Sequence, residues 1–142
     1  MLQRIQSIWL FLAAVCAAAT VKLSFYSGNK AAEAGMPSAT TFTQVTAMSN
    51  VFLTSLTIAV FVGSLITIFN YKKRKGQIRG ILMLILFSLS NIVLYYLETR
   101  KFVEGNFDLT ALFALAIPIF LFLAMQGVRK DEKLVKSADR LR

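Results

Sequence analysis

The stretch VFLTSLTIAVFVGSLITIF, residues 51–69, holds no charged residue, and three residues beyond it the chain reads Lys72-Lys73-Arg74-Lys75. At about 1.5 Å per residue such a run makes a helix of ~28 Å, against a hydrocarbon core of roughly 30 Å. Three more apolar stretches are long enough to span: Ile5 to Phe25, which carries Lys22 near its end, and the uncharged Gly80 to Leu97 and Leu109 to Val128. Backbone polar groups in lipid must be satisfied within their own segment, and no alternating ten-residue strands suggest a barrel, so all four read as helices. The expected fold class is all-α, a four-helix transmembrane bundle forming one domain over residues 1–142. An outer loop at 24–47, a basic loop at 71–79 and a tail at 129–142 connect and end it. A hydrophobic content of 56% and a mean hydropathy of +0.62 leave too little polar surface to coat a soluble domain.

Charge sets the expected orientation. Arg4, the cluster Lys72, Lys73, Arg74, Lys75 and Arg79, and the tail residues Arg129, Lys130, Lys133, Lys136, Arg140 and Arg142 fall in alternate gaps between spans. Only Lys22, Lys30, Arg100 and Lys101 lie in the other gaps. Basic residues are retained on the cytoplasmic side, so both termini are expected there, in a multi-pass protein. A net charge of +9 would suit a nucleic-acid binder, but juxtamembrane placement makes anionic lipid headgroups the expected partner, at about 1 kcal/mol per basic residue near the surface. Nucleic acid is not expected.

Chemistry is sparse. The chain has no histidine, one cysteine (Cys16) and seven carboxylates, none in the middle of a span. Bis-histidine haem, paired-thiol redox chemistry and the usual proton relays are thereby removed, and no cofactor, metal or catalytic residue is expected. Arg4 followed by an apolar run and Ala17-Ala18-Ala19 could read as a secretory signal. Its removal would leave three helices and move the N-terminus outside. Val15 sits where a lipoprotein signal ending at Cys16 needs a small residue.

The polar residues inside the spans form stripes. Ser88, Asn91, Tyr95 and Glu98 recur at three, four and three residues on the third span, and Asn50, Thr54, Thr57 and Ser64 follow a similar line on the second. Ser88, Asn91 and Tyr95 facing Thr54, Thr57 and Ser64 would make an interhelical polar seam, with Asn91 the costliest to expose to lipid. Small residues four apart (Ala13 and Ala17, Ala14 and Ala18, Gly63 and Thr67) permit close backbone approach. Pro118 is expected to kink the fourth span.

In the outer loop, Thr40 to Thr46 is β-branched enough for a short extended piece, and Gly105-Asn106 reads as a turn in the second outer loop. In the tail, Leu134, Ala138 and Leu141, with Val135 beside them, oppose Lys136, Asp139 and Arg140. That spacing predicts a short amphipathic helix lying on the inner membrane face or docking on a partner.

Three strings carry a resemblance: Met1-Leu2-Gln3-Arg4-Ile5-Gln6-Ser7, Gln77-Ile78-Arg79 and the terminal DEKLVKSADRLR at 131–142. With them the chain resembles a family of small four-span inner-membrane proteins of Bacteroidota, a domain of unknown function. The resemblance implies a bacterial cytoplasmic membrane and no known activity. The expected role is a non-enzymatic accessory or scaffold subunit, with Lys72, Lys73, Arg74, Lys75, Arg79, Leu134, Val135, Ala138 and Leu141 as the docking face for headgroups, a protein partner or a second copy. The alternative is a small channel or transporter along the two polar stripes. Small multidrug transporters share the outline, but they rely on a glutamate within the first helix that this chain lacks.

Overall fold

The computed structural model describes residues 2–30, 41–70 and 74–140. Four helices, α1 (Leu2–Lys22), α2 (Val51–Phe69), α3 (Arg74–Thr99) and α4 (Ala111–Arg140), are each long and apolar enough to cross a membrane. They pack as a closed ring in which α1 touches α2 and α4, and α3 touches α2 and α4. Successive helices run antiparallel, which leaves one end of the bundle with the basic residues and the other with the longer connections.

The distribution of polarity is inverted relative to a protein in water. Gln6, Thr20, Thr57, Ser64, Thr67, Gln77, Ser88 and Asn91 are buried, while Ile58, Val62, Ile66, Leu86, Leu89, Val93, Ile119 and Phe122 face outward. A soluble bundle would show the reverse, because exposed apolar surface on this scale drives association. Inside, Leu10, Ala13, Ala17, Val60, Ile81, Leu84, Leu121 and Val128 fill the half nearer the basic end, with Trp9 stacked on Phe120 at 5.8 Å. Ala13, Ala14 and Ala17 are fully buried and lie at helix contacts, whereas Ala18, the fourth small residue expected there, is exposed.

The end opposite the basic residues is closed by a small antiparallel sheet, order β2-β1-β3, from β1 (Tyr26–Lys30), β2 (Thr41–Val45) and β3 (Phe102–Phe107). The extended piece expected around residues 40–46 is β2. The turn expected at Gly105-Asn106 is instead the interior of β3, paired Gly28↔Gly105 and Ser27↔Asn106. Its glycine serves close approach, not a turn. A Cβ on Gly105 would come within 2.6 Å of the Tyr26 ring and 2.7 Å of the Ser27 carbonyl oxygen, and one on Gly28 within 2.5 Å of Gly105 Cα. Tyr26 packs edge-on against Phe102 and Phe107, and Phe25 stacks on Tyr95 at 4.5 Å, so aromatic rings join the sheet to α3.

Helix bounds differ from the sequence reading where charge and span were taken to exclude each other. α1 ends at Lys22, because Ser24 and Phe25 lead into β1. Most of the expected basic loop is helical, α3 starting at Arg74, since lysine and arginine are good helix formers once a neighbouring span nucleates the turn. The tail is not a separate helix: α4 runs unbroken through Pro118 and on to Arg140.

Candidate functional site

The α2–α3 seam is the first place where the chain brings polar groups together. Asn50 caps α2, its Oδ1 accepting from Phe52 N at 3.0 Å, and its Nδ2 donates to Glu98 Oε1 at 2.8 Å. Two turns further along α2 and two turns back along α3, Asn91 Nδ2 donates to Thr57 Oγ1 at 3.0 Å. The stripes therefore meet in a single antiparallel register. Two turns on again, the α3 residue in register with Ser64 is Leu84, whose side chain fills the notch at Gly63. That apolar partner accounts for Ser64 Oγ being buried without a hydrogen-bond partner.

The other predicted seam residues serve their own backbones. Thr54 Oγ1 reaches the carbonyls of Ala47 and Asn50 at 2.8 and 3.0 Å, so it braces the entry to α2 and forms no bond to α3. Ser88 donates to Ile85 O at 2.8 Å. Tyr95, 1% exposed, places its hydroxyl beside Thr20 and Thr57, yet that oxygen and Asn91 Oδ1 meet no partner in hydrogen-bond geometry among the described residues. Thr20, from α1, was absent from the sequence reading because nothing local separates it from an ordinary helix threonine; its hydroxyl back-bonds to Ala17 O at 2.8 Å.

A second polar cluster lies at the sheet end. Asp108 precedes α4 and accepts from Ser24 and from Ser27, the latter at 2.8 Å, while its N–H donates to Phe25 O at 3.2 Å. Thr110 donates to the Ser24 carbonyl. These bonds clamp the end of α1 to the start of α4. Glu98, which holds Asn50, also pairs with Lys101 at 2.8 Å. Both carboxylates thus have structural partners.

At the basic end, Arg79, Arg129, Lys130 and Lys133 are exposed. Arg74 and Lys75 lie in the first turn of α3, and Lys72, Lys73 and Leu141 lie outside the described residues. Ala138 sits in α4. Leu134 and Val135 are 54% and 42% exposed, so the rest of the chain does not cover these two residues of the apolar tail face. Inside this end, Gln77 Nε2 donates to Thr67 O at 3.3 Å, and Gln6 packs on Gly127, where a Cβ would meet its Cγ at 2.8 Å.

Residues 2–141 match a family described as Domain of unknown function (DUF4293). The chain belongs to that family. Neither the curated proteins nor the solved structures yield a match. Family membership brings no catalytic or binding residues with it.

Proposed function

We propose that this member of the family is an accessory or scaffold protein of a bacterial inner membrane, with both termini in the cytoplasm and the basic end as its docking face. It performs no reaction of its own. The observation that carries this reading is the continuation of α4 beyond the bundle core. Among the side chains described on α4 the last buried one is Val128, and the helix runs a further twelve residues to Arg140 with Arg129, Lys130, Lys133, Leu134 and Val135 exposed. An isolated helix of that length is marginal in water, but here it propagates from an existing helix and bears no nucleation cost. Such a helix offers both an apolar strip and cations, the combination that suits anionic headgroups or an acidic, apolar partner surface.

The channel or transporter alternative has weaker support. Asn91 and Thr57 bond to each other, and Thr54 and Ser88 bond to backbone carbonyls, which is how packing residues behave. The test is recovery of a partner in mild detergent by the full chain, by a chain ending at residue 130 and by the pair L134E and V135E. A stoichiometric partner held by the full chain and lost in both variants supports docking. A partner retained by both variants overturns it, and a pure oligomer with a wet central path would favour the transporter.

A further inference from the structure

A groove of about 230 Å³ opens on the outer surface of the bundle between α1 and α2, in the half nearer the sheet. Ala17, Ala18 and Val21 form one wall, and Ile58 and Phe61 the other. The small side chains of α1 make the hollow, and Ala18, Ile58 and Phe61 leave it open toward the bilayer. Its volume is below the roughly 300 Å³ at which small-molecule pockets begin, which suits a run of methylenes better than a ring system.

Its two polar residues differ in what they have left to offer. Thr57, at the floor, already donates to Leu53 O at 2.8 Å and accepts from Asn91 at 3.0 Å, so the depth of the groove asks for no polar ligand. Lys22, the last residue of α1, stands at the mouth with its side chain exposed, and among the described residues no carboxylate pairs with it. Hydrocarbon walls below a single unpaired ammonium at the end of a span match one amphiphile, with an acyl chain inside and an anionic head outside. We infer that this groove is a binding site for one anionic phospholipid, its acyl chain held between α1 and α2 and its phosphate paired with Lys22. The site is independent of the basic end and of the direction in which the protein is inserted.

Tryptophan quenching tests the assignment. Trp9 lies toward the opposite end of α1, so a W9F background with Leu65→Trp, one turn below Phe61 and outside the groove, gives a single local reporter. In phosphatidylcholine vesicles, half-maximal quenching should need about fivefold less dibrominated phosphatidylglycerol than dibrominated phosphatidylcholine, the ratio that corresponds to about 1 kcal/mol for one basic residue near the surface. K22Q should bring the two curves together, whereas R100Q, elsewhere at the same end, should leave them apart. Coincident curves before K22Q, or a preference that K22Q leaves unchanged, would overturn the site. Weak quenching by both lipids would also overturn it, since the groove would then be covered by a second copy of the chain.

Discussion

Replacing Thr57 by valine should cost more than replacing Asn91 by leucine, and the double replacement should cost little more than the Asn91 change alone. The hydroxyl of Thr57 sends its proton to Leu53 O and accepts the Asn91 amide at 3.0 Å, while Asn91 Oδ1 has no partner in the seam. Valine preserves the shape of Thr57 but strands the whole Asn91 amide in the interior. A buried polar group left unpaired costs about 1–3 kcal/mol. Leucine at 91 removes both the bonded donor and the unpartnered acceptor, and Thr57 keeps its bond to Leu53. The loss is then one interhelical bond, about 0.6 kcal/mol on average in membrane proteins and at most about 1.7. A coupling energy of about 1–3 kcal/mol between the two sites, nearly the whole cost of T57V, follows, measurable as a double-mutant cycle from reversible unfolding in mixed micelles with increasing dodecyl sulfate. Strictly additive single changes, or N91L costing more than T57V, would refute the seam as described. The second result would mean that Asn91 Oδ1 has a partner of its own.

Three further outcomes follow from the geometry. Asp108→Ala removes the acceptor for Ser24 and Ser27 and should lower stability by about 2 kcal/mol, seen as a fall of several degrees in a detergent melt. Gly28→Ala sets a Cβ against backbone atoms of β3 and should destabilise the sheet end by more than 1 kcal/mol, whereas Gly63→Ala meets only the flexible tip of Leu84, 2.6 Å away, and gains about 1 kcal/mol of helix propensity, so the same melt should place it near the parent. In a C16S background, cysteine at Ser49 should react with a membrane-impermeant maleimide in intact cells and cysteine at Ser137 only after lysis; the reverse pattern would turn the proposed orientation over.

The helices and their facing stripes were legible because they depend on local period and length. The nineteen uncharged residues of α2 coincide with the helix from end to end, and the three-and-four spacing of Ser88, Asn91 and Tyr95 places all three on the buried face of α3. Where reading by period failed, the deciding contacts are distant in sequence. Ser24 and Ser27 lie 84 and 81 residues from Asp108, and β3 exists only because β1 offers it a pairing edge. Gly105-Asn106 is a sound local turn signal overridden by that pairing. The tail shows the opposite error. Its amphipathic spacing was visible, but whether it continued α4 or lay separately on the membrane depended on Gly127, which is not a helix end but a close-packing position against Gln6, and with no proline after it the helix goes on.

The strand order also dictates a sequence of events during synthesis. β1 and β2 flank the connection between the first two spans, so they can zip together once that hairpin has been threaded. β3 lies between α3 and α4, and its position beside β1 must stand empty until about sixty residues beyond β2 have been made. The sheet is thus a latch that closes only after the third span has been made. Before it closes, one edge of β1 is an open template; afterwards, pulling either hairpin away from the other must break backbone bonds as well as side-chain packing. A chain cut before β3, or one threaded so that β3 cannot reach β1, would keep that edge unpaired, a local mark by which a failed insertion differs from a finished one.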